Sequence, residues 1–485
     1  MGTSEVCERI DFTIAGHSAP PAGGEYLEDI DPANGETIAL VARGGATDID
    51  SAVEAAREGF RSWSALIPSE RAVVLNAIGD RINHRAEEFA LLESRDTGKP
   101  LSQARRDIQV SARYFHFYAG IADKIYGETI PIDGKSFAFT LREPLGVTAH
   151  ILPWNYPMQI GCRTIATSLA TANACVVKPA EDAPLTISLL ATIALEAGLP
   201  PGALNVVSGL GEEAGAALAS HPGVDRVFFT GSPEVGALVQ KMAADNITPV
   251  SLELGGKSPN IVFADAQLES ALPVVLQSLI QNAGQTCSAG TRLLVQSPVE
   301  EMVKGKLRDL MGAVQMGPGV TDPDMGPLIS GKQLDRVLGY LEIGRNEGAS
   351  VLTGGGRPAA EELGRGYFVE PTLLDGVNQD MRVANEEIFG PVLSVLTFEE
   401  EEEAAAIANG SPYGLIAAIW TRDINKAFRL ARSLDCGQVY VNSYGAGGGA
   451  DLPFGGYKRS GYGREKGVEA VREYTQVKTV AVQVE

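Results

Sequence analysis

Three side chains in this sequence sit in settings suited to covalent chemistry on a carbonyl. Cys287 lies in Gln285-Thr286-Cys287-Ser288-Ala289-Gly290, among small residues that leave room for a substrate and let backbone N–H groups point at it. A thiolate there is a nucleophile that forms a covalent intermediate. Glu253 belongs to a strand-like run in which Val250, Leu252 and Leu254 share one face and Ser251 and Glu253 the other, followed by Gly255-Gly256-Lys257-Ser258-Pro259. A carboxylate in such an apolar run is either hydrated through a cleft or held for chemistry. Asn155 sits in Pro153-Trp154-Asn155-Tyr156-Pro157, where two prolines fix a rigid turn and the amide can face a developing negative charge. Taken singly, each has a plainer reading: a buried inert thiol, a solvated Glu on an exposed strand face, an Asx turn.

A second group of residues suits a nucleotide. Lys178-Pro179-Ala180-Glu181 ends a β-rich run, and a carboxylate at the carboxyl edge of such a strand can accept both ribose hydroxyls and repel a 2′-phosphate. A surface Lys–Glu pair is the alternative. Phe229-Thr230-Gly231-Ser232 follows another strand and opens a helix whose first turn includes Val235 and Gly236, so its N–H groups could meet a pyrophosphate. The bland alternative is a plain strand-to-helix turn. Gly209, Gly211 and Gly215 spell GxGxxxG, one residue longer than the usual dinucleotide fingerprint.

These residues need elements to hold them. The first ~125 residues read as an irregular opening segment followed by helices. Thr47-Asp48-Ile49-Asp50 has capping-box spacing ahead of Val53, Ala56, Phe60 and Trp63, and Leu75, Ile78 and Ile82 form a second apolar face. From about 146, β-rich runs alternate with helices: Val147–Leu152, Ala174–Lys178, Leu204–Ser208, Arg226–Thr230 and Val250–Leu254, with helical stretches at Leu185–Ala197 and Glu234–Ala243 between them. This alternation predicts a parallel, doubly wound sheet. A second set, Asn260–Phe263, Thr291–Gln296, Val392–Phe398, Leu415–Trp420 and Gln438–Asn442, predicts another α/β unit. The acidic run Glu399–Glu403 reads as the capped, solvated start of a helix.

Composition excludes several classes. With 40 Lys and Arg against 61 Asp and Glu in 485 residues, the net charge is −21, which disfavours nucleic acid and anionic membranes as partners. No apolar run reaches the ~18 residues of a membrane span, and the first residues carry no secretory pattern, so a cytoplasmic location is expected. Cys7, Cys162, Cys175, Cys287 and Cys436 are scattered, the histidines form no HExxH, and no GxSxG occurs. Disulfides, a metal site and a serine hydrolase are all unsupported.

Taken together, the motifs resemble those of the aldehyde dehydrogenase superfamily over essentially the whole chain. PWNYP (153–157), KPAE (178–181), FTGSxxxG (229–236), LELGGKSP (252–259), GQTC (284–287), EEIFGP (386–391) and PFGGYKRSG (453–461) occur in the family's order. The resemblance implies that Cys287 is the nucleophile, Glu253 the general base and Asn155 the oxyanion donor. It also implies that NAD, with NADP disfavoured, is held by Ile151, Pro153, Trp154, Lys178, Ala180, Glu181, Gly211, Phe229, Thr230, Gly231, Ser232, Val235, Leu254, Gly255, Glu387 and Phe389. Tyr156, Arg163 and Phe454 are the expected substrate contacts. The implied fold is α/β, with two doubly wound domains and a small oligomerisation β-flap. The NAD-binding domain is expected at 1–125 and 145–255, the catalytic domain at 256–445, the flap at 126–144 and 474–485, and a return connection at 446–473. A homodimer or homotetramer is expected.

Two features depart from the common pattern. Many relatives carry Trp-Lys where this chain has Arg163-Thr164, and an Arg there is similar to salicylaldehyde- and vanillin-type enzymes. It either pairs with a carboxylate at a subunit interface or faces a substrate group, because an unpaired buried guanidinium is prohibitive. The loop Tyr444–Leu452, rich in Gly445, Gly447, Gly448 and Gly449, has no aromatic besides Tyr444, which suggests an open substrate mouth and no aromatic cage for a betaine-type cation. The favoured activity is hydrolytic oxidation of an aldehyde, aromatic or semialdehyde. A CoA-acylating relative would usually lack the base, and an inactive binding or structural member would have lost the nucleophile.

Overall fold

Runs of Val, Ile, Ala and Phe bounded by Gly, Pro or Asn become the central strands of two parallel sheets. Both faces of such strands are covered, so they read as nearly continuous apolar sequence. In the computed structural model, which describes residues 8–445 and 449–483, every residue of Val147–Ile151 and of Ala174–Lys178 is buried. Alternate side chains serve different layers. Ala174 and Val176 join a cluster with Ile49, Val53 and Val227, whereas Cys175 and Val177 join one with Trp63, Ile165 and Leu190. Cys7, Gly447, Gly448 and the last two positions of the expected flap lie outside the described residues.

The first sheet has eight strands in the spatial order Gly461–Tyr462, Val250–Glu253, Arg226–Thr230, Val147–Ile151, Ala174–Lys178, Leu204–Val206, Phe12–Ile14 and His17–Ala19. Its five central strands are parallel, and the order reverses beside Val147–Ile151, which pairs with both Ala174–Lys178 and Arg226–Thr230. Crevices at such reversals, outside the carboxyl ends of the strands, are where open α/β sheets bind ligands. The second sheet runs Ser350–Thr353, Thr372–Asp375, Val392–Phe398, Arg292–Gln296, Pro259–Val262, Ile416–Trp420 and Gln438–Val441, parallel except for its first strand. A separate core that includes Leu293, Leu373 and Ile419 packs around it. A third, antiparallel sheet pairs Thr475–Gln483 with Ser136–Pro144, which also pairs with Thr129–Ile130.

Three readings of local structure are corrected. The opening segment is not irregular: Arg9–Ile10, Tyr26–Ile30 and Thr37–Ala42 make a small sheet, and Phe12–Ile14 and His17–Ala19 extend the edge of the first large one. The helix Ala46–Ser64 is not capped from Thr47. Its cap is Gly45, whose N–H donates to the Asp48 carboxylate at 2.9 Å, two positions earlier than the Thr47–Asp50 spacing implies. The second sheet also gains Ser350–Thr353 and Thr372–Asp375, which the alternation pattern passed over. The acidic run does begin a helix, Glu401–Asn409, and Glu403 accepts the Glu399 N–H at 2.8 Å.

Candidate active site

Strand register brings the motif residues to one edge. Ile151 lies opposite both Lys178 and Phe229, Phe229 opposite Leu252, and Thr230 opposite Glu253. The turns leaving these strands are therefore adjacent. Ser232 caps the helix Pro233–Ala244, its hydroxyl accepting from the Val235 N–H at 3.3 Å. Lys178 is buried and donates to Glu181 at 2.7 Å, while the Glu181 side chain keeps about a third of its surface exposed. The two readings of this Lys–Glu pair thus coincide: it is an ion pair, and it stands at the sheet's ligand edge with Ala180 buried beside it.

The second sheet closes the crevice from the other side. The buried carboxyl of Glu387 accepts the Gly256 N–H at 3.0 Å, and burial pushes it up to about 7 against that bond. A Cβ on Gly255 would stand 2.0 Å from Glu387 Oε2, so only glycine lets this carboxyl approach the backbone next to Leu254. Phe389, at φ +62, packs edge-on against Trp154 with centroids 5.3 Å apart. Gly211 stands apart from these contacts. It is exposed and opens the widened turn Gly211–Gly215, whose last two residues are buried, and it is Gly215 whose added Cβ would lie 4.0 Å from Lys178 Cδ.

Cys287 lies beyond this crevice, partly open to a cavity of about 490 Å³. Tyr156, Arg163, Tyr440, Tyr444, Phe454 and Lys466 are among the side chains on its wall. The loop before Cys287 is strongly constrained. Asn282, Ala283 and Gly284 all have left-handed backbone, at φ +50, +53 and +75. Tyr156 Oη lies 2.9 Å from Thr286 Oγ1 and accepts from Gln281 at 2.7 Å, and the Tyr444 hydroxyl donates to Ser288 O at 2.6 Å. Asn155 Nδ2 donates to Gln285 O at 2.9 Å, while its Oδ1 is buried and finds no hydrogen-bond partner. Burial drives the Cys287 thiol up to about 12; the Arg163 charge pulls it down, and the charges of Glu387 and Glu253 add to the rise.

Glu253 is buried, not solvated, and neither of its carboxylate oxygens accepts a hydrogen bond. Burial first, and then the charge of Glu465, raises it well above the ordinary carboxylate range, with Arg163 pulling the other way. It is not among the residues lining the Cys287 cavity, and its strand pairs antiparallel with Gly461–Tyr462, Glu253 opposite Gly461. Ser460, in the same segment, donates to Gly255 O at 2.7 Å and accepts the Leu254 N–H through its carbonyl at 3.0 Å. Orphaned buried carboxylates of this kind are uncommon outside functional sites.

Arg163 reaches the cavity but is ion-paired with Glu465, with both side chains only 5% exposed. The carboxylate partner expected at a subunit interface is therefore supplied within the chain. Burial disfavours the Arg163 charge, but Glu465 outweighs it and the guanidinium is held more firmly protonated than usual. Sequence reasoning passed over Glu465 and Lys466, whose only signal was a charged triplet, Arg464-Glu465-Lys466, between Gly463 and Gly467. It also passed over Gln281 and Thr286, whose roles depend on contacts more than a hundred residues away.

Comparison with known proteins agrees with this geometry. Residues 19–480 match the aldehyde dehydrogenase family. A Burkholderia cenocepacia protein assigned as an aldehyde dehydrogenase is similar at 51% identity and TM-score 0.96, with 98% of this chain and 100% of that one covered. An NAD+ complex of an aldehyde dehydrogenase from Bacillus cereus is similar at 42% identity and TM-score 0.96, covering 99% and 97%. Betaine aldehyde dehydrogenase of Staphylococcus aureus in complex with NAD+ is similar at 38% identity and TM-score 0.96, covering 98% and 95%. With nearly its whole length matched and its sheets superimposing on theirs, the chain belongs to the aldehyde dehydrogenase family.

Proposed function

We propose that this protein oxidises an aldehyde to the carboxylic acid with NAD, through a thiohemiacetal and then a thioester on Cys287. The observation that carries the reading is Cys287, open to a cavity of substrate size, with the buried and unpartnered carboxyl of Glu253 close enough to raise the thiol's pKa. The Cys287 thiol gives its proton to water, and the Sγ thiolate attacks the aldehyde carbon, opening the C=O double bond. The oxyanion formed is met by the Asn155 amide and the Cys287 N–H, donors each worth about 3–4 kcal/mol in such sites. Glu253, held near its protonated form by burial, is a strong enough base once ionised to take a proton from water, and that water releases the acid. A thiol acceptor in place of water would need no such base, so Glu253 supports hydrolysis over acyl transfer to CoA.

The cofactor fit rests on the crevice. Glu181 offers a part-exposed carboxylate for ribose hydroxyls, and the Thr230–Ser232 turn leads into a 12-residue helix for a pyrophosphate. Trp154, Ile151 and Phe389 supply apolar walls. A nicotinamide held there would supply the hydride acceptor for oxidation of the thiohemiacetal carbon. NAD is favoured over NADP because Glu181 would meet a 2′-phosphate with like charge. Substrates are medium-sized aldehydes, aromatic or semialdehyde, matched to a wall that carries Tyr156, Tyr440, Tyr444 and Phe454. The enzyme is a cytoplasmic homo-oligomer joined through the Ser136–Pro144 and Thr475–Gln483 flap, which exposes Phe137, Leu141, Val477 and Val482.

A panel of aldehydes followed by NADH absorbance tests the activity. Cys287→Ala is expected to abolish oxidation while NAD still binds by calorimetry. Turnover at the wild-type rate in that variant would remove the covalent route.

A further inference from the structure

The turn that delivers Cys287 is tied down by a tyrosine whose hydroxyl has no capacity left for a ligand. Asn282, Ala283 and Gly284 stand in the left-handed region at φ +50, +53 and +75, and two of them are not glycine. Such a turn persists only where its surroundings over-determine it. The Tyr156 oxygen accepts from Gln281 Nε2 at 2.7 Å and from Gln103 Nε2 at 3.2 Å, and it lies 2.9 Å from Thr286 Oγ1. The Gln103 amide has one orientation only, because its Oε1 accepts the Asn282 N–H at 3.0 Å. With both lone pairs of the phenol taken, its O–H donates to Thr286, whose own hydroxyl donates to Gln281 O at 3.4 Å. A closed ring results, from the Gln281 side chain through Tyr156 and Thr286 back to the Gln281 carbonyl. It spans the left-handed turn and ends one residue before Cys287.

The ring needs a fixed tyrosine, and a buried charge supplies one. Lys99 is fully enclosed, its ammonium 4.4 Å from the Tyr156 ring centroid, 2.8 Å from Glu93 and 2.9 Å from Asp107. Burial disfavours that charge, but Asp107 and Glu93 outweigh it and keep the lysine protonated. A desolvated cation against an aromatic face is the strong form of this contact. Glu93 also accepts the Met158 N–H at 3.4 Å, in the first turn of the helix that follows Tyr156. We propose that Tyr156, seated on Lys99, is the positioning residue for Cys287: its hydroxyl locks the Gln281–Thr286 turn and so sets where the sulfur stands when an aldehyde arrives. This rests on the reading of Cys287 as the nucleophile. It also divides the work of the side chain, since only the ring is left to touch a substrate.

Tyr156→Phe keeps the ring and removes the lock. With benzaldehyde and NAD, kcat is expected to fall at least about fivefold, the factor one buried hydrogen bond is worth, while both KM values stay within about twofold. Alkylation of Cys287 by iodoacetamide, read by mass on its own peptide, needs neither NAD nor aldehyde. It is expected to quicken at least about fivefold in the folded variant, because a released turn lets the thiol leave the buried place that keeps it neutral. Gln281→Met is expected to reproduce both changes and to add little to Tyr156→Phe in the double variant, as members of one ring do. Lys99→Met acts in the same direction, with Asp107→Asn in its place if that chain does not fold; an unaltered alkylation rate there overturns the part given to Lys99. Unchanged kcat or unchanged alkylation in Tyr156→Phe, a raised aldehyde KM in place of a lowered kcat, or changes that simply add in the double variant each overturn the positioning role. Faster alkylation in Tyr156→Phe with no aldehyde oxidised by the wild type would sink the proposed reaction instead and leave the lock standing.

Discussion

The chemistry of this site is set by how few polar partners its reactive groups are given. Among the described residues, neither Glu253 nor Asn155 Oδ1 has a hydrogen-bond partner, and the Cys287 thiol is pushed to about 12 chiefly by burial. A neutral thiol beside a carboxyl held in its protonated range is a resting state, primed when an aldehyde and cofactor bring their own charge distribution. The motifs that carry Cys287, Glu253 and Asn155 were visible in the sequence because each is contiguous; strand register brings the strand ends of the last two together, whereas the turn after Leu268–Ile280 sets the place of the first. Glu465 and Lys466 were not, because their significance depends on Arg163, some three hundred residues away. Cofactor choice also belongs to single residues. Glu181 pairs with Lys178 at 2.7 Å, so removing its charge frees a lysine for a 2′-phosphate. Glu181→Gln is expected to raise kcat/KM for NADP by at least about tenfold while lowering it for NAD. An unchanged NADP/NAD ratio would show that Glu181 does not discriminate.

At the scale of elements, the position of Cys287 depends on a short, strained connection. The three left-handed residues Asn282, Ala283 and Gly284 turn the chain sharply out of the helix Leu268–Ile280 and deliver Gln285–Cys287 to the cavity. At Gly284, φ is +75, and an added Cβ would lie 2.3 Å from Gly390 C and 2.4 Å from Gly390 O, both backbone atoms. Gly284→Ala is therefore expected to cost at least about 1–3 kcal/mol in urea unfolding and to lower kcat, because the loop must shift to relieve the clash. Wild-type stability with wild-type kcat would mean the connection tolerates what its geometry forbids. The long alternating strands were readable from their apolar runs and Gly or Pro boundaries. Arg9–Ile10, Phe12–Ile14 and His17–Ala19 were not: each is two or three residues long and mixes polar and apolar side chains, and the first two pair with strands more distant in sequence. The helix start at Gly45 escaped for a related reason, since a glycine cap leaves no side-chain signature and the telling residue is Asp48.

Across the whole molecule, the C-terminal strand crosses back to pair with Ser136–Pro144 in nine-residue register, forming a ribbon with apolar side chains in solvent. Exposed apolar side chains grouped on one flap mark an association surface. The double variant Val477→Glu with Val482→Glu is expected to shift sedimentation from an oligomer to monomer without unfolding the chain; an unchanged sedimentation coefficient would place the interface elsewhere. In the proposed reaction the same chain binds cofactor and aldehyde, forms the thioester and then hydrolyses it, so the most direct measurement is rapid mixing of Glu253→Gln with NAD and an oxidisable aldehyde. The account predicts a burst of NADH stoichiometric with active sites, followed by near silence, and an intact mass raised by the acyl group on Cys287. Sustained turnover at the wild-type rate, or no burst and no adduct with a substrate the wild type oxidises, would contradict it.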